Sequence, residues 1–232
     1  SVRLLQRDKG FITADEVLKS INPDDVHKPV STLVSMENTV NKAGGTIYDF
    51  KAIEKIAEVC RQHGLKLHLD GARLFNALVE TSQTPKDYGR VFDTISICLS
   101  KGLGCPVGSL LLGTKADIKQ ARRVRKVFGG GMRQAGYLAA AGIYALDNHI
   151  ERLKEDHRQA KQLHEALQSA NFIDLLYPAE TNIIIFRLND KYTDEGFLEA
   201  CKENGILPIQ MARGLWRFSL HLNIDDTHLQ AV

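Results

Sequence analysis

Short apolar runs and longer segments with an apolar residue at every third or fourth position take turns along most of the chain. Residues 31–36, 65–69, 93–99 and 107–112 read as strands, the last two separated by a glycine-rich loop. Between the first two, Phe50, Ile53, Ile56, Ala57 and Cys60 share one face of a helix that Asp49 can cap and Gly64 can close. A shorter helix opens earlier on Thr13 and Glu16, spaced as a capping box requires, and Pro23 stops it. Strands alternating with helices imply a mainly parallel, covered sheet. The expectation is an α/β large domain over residues 1–147.

The pattern changes downstream. A basic helix over 115–127, the triple glycine Gly129 to Gly131 and a small-residue helix over 132–146 lead into a long polar helix from His149 to about Ala170. A strand at 182–188, a helix at 194–204 closed by Gly205 and a strand at 216–222 follow, which predicts a smaller α+β domain over 148–232. Asp225, Asp226 and Thr227 read as the opening of one more helix.

Composition narrows the function classes. The 232 residues are 44% hydrophobic and 25% charged, ordinary for a globular chain, and 30 basic against 28 acidic residues leave a net charge of +2. Such a balance supplies no general attraction to nucleic acid or membrane surfaces, so a small-molecule partner is expected. The basic run Arg122, Arg123, Arg125, Lys126 lacks interleaved aromatics and reads as a solvated helix face. Four cysteines without CxxC spacing predict reduced thiols and an intracellular, cytoplasmic protein. A mitochondrial address stays open, because the chain begins on Ser1 rather than Met. No run reaches the roughly 18 apolar residues of a membrane helix. His149, His157 and His164 lack metal-ligand spacing and are expected to be exposed, and no metal site is expected.

Two stretches stand out chemically: LHLDGAR at 67–73 and SICLSKGLGCPVGSLLLG at 96–113. Asp70 ends one apolar run and Lys101 ends another about thirty residues later. Taken singly, Lys101 reads as a solvated loop lysine and Asp70 with Arg73 as a local ion pair. Taken together, a carboxylate and an amine at strand ends suit a charged heterocycle held between sheet and loop, with Asp70 pairing a pyridinium nitrogen. That cofactor would be pyridoxal phosphate. Gly102 and Gly104 would let backbone approach a flat ring. Glu37, Asn38 and Thr39 follow another strand end, where α/β sheets place ligands.

The two stretches, with DDVH at 24–27, ENT at 37–39 followed by Asn41 and Gly44, RKVFGGGMRQAG at 125–136 and WRFSLH at 216–221, resemble the threonine aldolases. These belong to the β-eliminating lyase group of the aspartate-aminotransferase-like fold, fold type I of the pyridoxal-phosphate enzymes. The resemblance implies cleavage of threonine or allo-threonine to glycine and acetaldehyde. It implies Lys101 as the Schiff-base lysine, Asp70 on the pyridine nitrogen, Arg73 on the neighbouring ring oxygen, His27 near the substrate β-hydroxyl and Arg217 on the substrate carboxylate. Lys126 and Arg133 match residues that reach the cofactor phosphate from a neighbouring subunit, which implies a homo-oligomer, dimer or tetramer. Alternatives are another enzyme of the same fold, a β-eliminating lyase or aminotransferase, and a non-catalytic truncated subunit. Val40 stands where many relatives read His, and Cys105 where Ala is common. The family's phosphate-binding loop and ring-stacking residue would lie upstream of Ser1, so the chain is expected to be one portion of a longer protein.

Overall fold

The computed structural model describes residues 1–5 and 10–230. Helix α1 (Ala14–Ser20) starts on the expected capping box: the Thr13 hydroxyl accepts from Glu16 N–H, and the Glu16 carboxylate accepts from Thr13 N–H at 2.8 Å. Strand β1 (Leu33–Glu37), a 3-10 turn (Asn41–Ala43), helix α2 (Phe50–Gln62) and strand β2 (Lys66–Asp70) follow. Asp49 caps α2 through Lys51 N–H, and Ile53, Ile56, Ala57 and Cys60 are buried on its inner face. Helices α3 (Leu74–Glu80) and α4 (Pro85–Val91) then lead to strands β3 (Thr94–Cys98) and β4 (Ser109–Leu112).

The first sheet has the order β1-β2-β3-β4. The first three strands run parallel, with Glu37 beside Asp70 and Asp70 beside Ser96, while β4 returns antiparallel to β3. Its core joins Val17 of α1 and the apolar face of α2 to Leu67, Leu69, Ile95 and Ile97. Helix α5 (Lys115–Val127) buries no residue, and all of β4 is exposed.

Helix α6 (Gly136–Asn148) begins later than the 132 expected, because residues 128–135 form a glycine-rich loop. Helix α7 (Leu153–Leu167) is likewise shorter than the run expected from His149 to Ala170. A second sheet, ordered β5-β6-β8-β7, is antiparallel throughout. It comprises β5 (Ile173–Leu176), β6 (Ile183–Leu188), β7 (Ile209–Ala212) and β8 (Leu215–Ser219), with α8 (Asp194–Glu203) and α9 (Asp226–Leu229). Alternation puts Ile184, Phe186, Trp216 and Phe218 against Ala160, Leu163 and Leu167 of α7, whereas Ile183, Ile185, Arg217 and Ser219 take the opposite face. The apolar pattern disclosed neither β5 nor β7: both carry a register irregularity, and β7 is largely exposed.

A third, smaller core lies beneath the glycine-rich loop. Leu99, Leu103 and Cys105 of the glycine-rich loop pack on Ala145 of α6 and on Leu153, which is fully buried at the start of α7. Beside it His157 is 1% exposed, which corrects the expectation of a surface histidine. Its Nδ1 lies 2.5 Å from Glu80 Oε1 and its Nε2 lies 3.0 Å from Asn76 Nδ2. A neutral ring satisfies both, donating from Nδ1 to the carboxylate and accepting at Nε2 from the amide. Helices α3 and α7 are thereby joined. His149 is half-buried, with Nδ1 donating to the Leu103 carbonyl at 2.7 Å. Among the described residues all four cysteines are free, and no helix is long and apolar enough to cross a membrane.

Two outcomes follow from this joint. Leu153→Ala should cost about 2–5 kcal/mol, measured by urea denaturation, because the site cannot collapse without moving the loop. Burial depresses the His157 pKa, and the hydrogen bond to Glu80 opposes that only in part. The unfolded chain therefore takes up the proton first, and the stabilisation should be lost as pH falls below about 6.5. His157→Gln should flatten that slope in urea midpoints, and an unchanged slope would assign the acid sensitivity elsewhere.

Candidate active site

The parallel register brings three strand ends to one edge of the first sheet. β1 ends in Glu37 and β2 in Asp70, neighbours in the ladder, and the chain leaving β3 reaches Lys101 after Leu99 and Ser100. Asn38 N–H extends the ladder to the Asp70 carbonyl at 3.1 Å, and Gly71 N–H donates to the Ser96 carbonyl at 2.9 Å. A Cβ on Gly71 would stand 2.8 Å from that carbonyl, so only glycine lets the turn after Asp70 lie so close to β3.

Asp70 is exposed, and its Oδ1 accepts from Ala72 N–H at 3.2 Å. Arg73, at the head of α3, turns back across the edge and donates from Nη1 to Asn41 Oδ1 at 3.2 Å. Its pKa is lowered chiefly by burial and next by the nearby Arg217 charge, against the pull of Glu37 and Asp70. Glu37 is half-buried and its pKa is raised: burial dominates, the Asn41 N–H opposes it, Asp70 adds to it, and Arg73 and Lys101 work against it. Five charged groups, Glu37, Asp70, Arg73, Lys101 and Arg217, therefore share this edge.

Lys101 is exposed on its loop. The loop is held from within, since Gly104 N–H donates to the Lys101 carbonyl at 2.8 Å and Cys105 N–H to the Leu99 carbonyl at 3.0 Å. Gly104 has φ +74, and a Cβ there would come within 2.5 Å of Leu222. Cys105 is buried, with its thiol directed at the Ala141 carbonyl at 3.6 Å, and Val40 is buried in an isolated bridge with Thr46.

Arg217 reaches the same edge from β8. Its Nη1 donates to Asn41 Oδ1 at 2.8 Å, while its Nε is buried and unpartnered among the described residues. The Ser219 hydroxyl, two residues on along the same face, is also buried and unpartnered.

Lys101, Asp70, Arg73 and Arg217 thus converge. His27 does not join them: it sits on the exposed 24–30 loop, its backbone N–H donates to Asp25 Oδ1 at 2.9 Å, and no hydrogen bond links its ring to the edge among the described residues. Lys126 lies in the exposed last turn of α5 and Arg133 in the loop after it, and among the described residues neither side chain is hydrogen-bonded to the cluster. Two polar residues that sequence reasoning left without a role, Glu37 and Asn41, belong to the site. Their signal was the ENT motif and the asparagine just after it. Asn38, in the same motif, is structural: fully buried, it donates to the Tyr88 hydroxyl and accepts from Tyr48 N–H.

The donor set matches the ring side of pyridoxal phosphate: an amine for the aldehyde, a carboxylate for the pyridinium N–H and a guanidinium for the phenolate oxygen. The buried, unpartnered Arg217 Nε and Ser219 Oγ beside it match a carboxylate.

Comparison with known proteins agrees with this class. The fold is that of the fold-type-I pyridoxal-phosphate enzymes. A threonine aldolase from Leishmania major superposes with a TM-score of 0.79 at 22% identity, covering 97% of this chain and 66% of that one. The family model for β-eliminating lyases matches residues 1–191, and the chain belongs to that family. Among curated relatives, the low specificity L-threonine aldolase of Escherichia coli K12 is 44% identical over 182 residues, covering 78% of this chain and 53% of that protein. The Saccharomyces cerevisiae protein of the same name is 37% identical over 234 positions, covering 100% of this chain and 58% of its own length. The chain therefore spans little more than half the length of these relatives.

Glu37 makes the edge testable. A carboxyl whose folded pKa lies above its unfolded value costs stability as pH rises, because the unfolded chain releases the proton first. That cost is absent below about pH 4.3 and complete above the raised folded value. Glu37→Gln keeps an acceptor for Asn41 N–H and removes the titration. Wild-type urea midpoints should fall relative to the variant as pH rises from about 4 to 7, and parallel midpoints would overturn burial as the dominant influence.

Proposed function

We propose that the protein cleaves threonine and allo-threonine to glycine and acetaldehyde with pyridoxal phosphate as cofactor. What carries the reading is the convergence of Lys101, Asp70, Arg73 and Arg217 at one sheet edge, in a β-eliminating lyase chain whose relatives include named threonine aldolases. Bound there, the cofactor supplies an electron sink next to the Cα of the amino acid.

The chain's own residues do the rest. Lys101 would supply the amine that holds the cofactor's aldehyde end, on a loop stiffened by its own turn and by the core beneath it. Asp70 would keep a proton on the ring nitrogen, since an adjacent carboxylate favours the charged form, and Arg73 would donate to the ring oxygen. Arg217 grips the substrate carboxylate through two N–H groups, a planar fork that lysine lacks, and so fixes which bond at Cα faces the ring. The resemblance offers His27 for the β-hydroxyl proton; on its exposed loop it stands apart from the other four, and it would have to approach them to remove or orient that proton.

Lys126 and Arg133 would hold the cofactor phosphate of a neighbouring copy in a homo-oligomer. Val127, Phe128, Met132 and Tyr137, all more than 60% exposed, surround them in sequence and support a covered surface there. The division into domains at 147/148 and a cytoplasmic location belong to the same reading.

Incubation of the purified protein with threonine and pyridoxal phosphate should yield equimolar glycine and acetaldehyde; pyruvate with ammonia would point to a β-eliminating activity instead. Borohydride reduction should attach the pyridoxyl group at Lys101, read by peptide mass spectrometry. A Lys101→Ala variant labelled to the same extent would overturn that assignment.

A further inference from the structure

One oxygen links the two sheets at the site. Asn41 Oδ1 accepts from Arg73 Nη1 at 3.2 Å and from Arg217 Nη1 at 2.8 Å; Arg73 follows β2 of the first sheet and Arg217 lies in β8 of the second. Its backbone N–H lies close enough to the Glu37 carboxylate to lower that group's pKa. The segment carrying Asn41 is anchored to the chain entering β6, because Thr181 Oγ1 donates to the Gly45 carbonyl at 2.7 Å and Ile47 N–H to Glu180 Oε2 at 2.8 Å. The bridging oxygen is therefore fixed relative to both arginines.

Guanidinium geometry gives this placement a consequence. With Nη1 committed to Asn41, the edge of Arg217 left for a bidentate carboxylate is Nε with Nη2, and Nε is buried without a partner. Ser219 Oγ, also buried and unpartnered, lies two residues along on the same strand face. An amide oxygen holds both cations without cancelling either charge. An aspartate of the same shape would form two charge-assisted bonds and compete directly with an incoming carboxylate.

We infer that Asn41 is a positioning residue for carboxylate recognition: it turns the Nε and Nη2 edge of Arg217, flanked by Ser219, toward the carboxylate and couples it to Arg73. This rests on the reading of Arg217 given under Proposed function. The experiment is calorimetric titration of the pyridoxal-phosphate-bound protein with glycine and with ethanolamine, which keeps the amine and lacks the carboxylate, alongside KM and kcat for threonine. Asn41→Asp should weaken glycine binding and raise KM by about tenfold to a hundredfold, the loss of one charged hydrogen bond, with a smaller change in kcat. Ethanolamine binding should move less than threefold. Asn41→Ala should shift the same ligand in the same direction by less. Glycine affinity unchanged in both variants, or both ligands weakened equally, would overturn the inference. The parent reading fails separately, if Arg217→Ala leaves glycine affinity intact.

Discussion

The parallel register of β1, β2 and β3 is the constraint on which the site depends. Parallel strands end together on the same side of a sheet, so side chains distant in sequence are delivered to one edge without a dedicated fold for each. Glu37 and Asp70 are register neighbours, and the loop leaving β3 carries Lys101 to the same rim. The register is itself held by burial: Leu67 and Leu69 are almost wholly enclosed beneath α2, and a one-residue slip of β2 would turn them to the other face.

Charge is concentrated at that rim and only partly compensated. Arg73, Arg217 and Lys101 face Glu37 and Asp70, so three cations meet two carboxylates. Burial works against charge on Glu37 and Arg73, the first being pushed toward its acid form and the second toward losing its proton. One uncompensated positive charge suits an anionic ligand. Asn41 sits at the centre of this arrangement, touching Glu37 through its backbone and both arginines through its side chain.

Support for the lysine loop comes from a core separate from those of the two sheets. Leu99, Leu103 and Cys105 face Ala145 and Leu153, His149 holds the Leu103 carbonyl, and Asn76 with Glu80 fixes His157 beneath. The same helices carry the chain from the first sheet to the second. Movement of α7 would therefore be felt by the loop and by α3, which begins immediately after Arg73.

Much of this was legible in the residues themselves. The capping box at Thr13, the inner face of α2, the strands near Asp70 and Lys101 and the parallel character of the first sheet follow from local period and turn chemistry, which short segments encode. So does the suspicion that Lys101 and Asp70 belong together. The roles of Asn41 and Glu37, and the burial of His157, were not legible, because each depends on partners from 32 to 176 residues away or on enclosure by other elements. A polar residue after a strand carries the same letters whether it faces water or two arginines. Sequence by itself determined which groups end the strands and what chemistry they offer. Only the tertiary structure decided which of them meet, since hydrogen-bond partners and desolvation are properties of chains brought together in space.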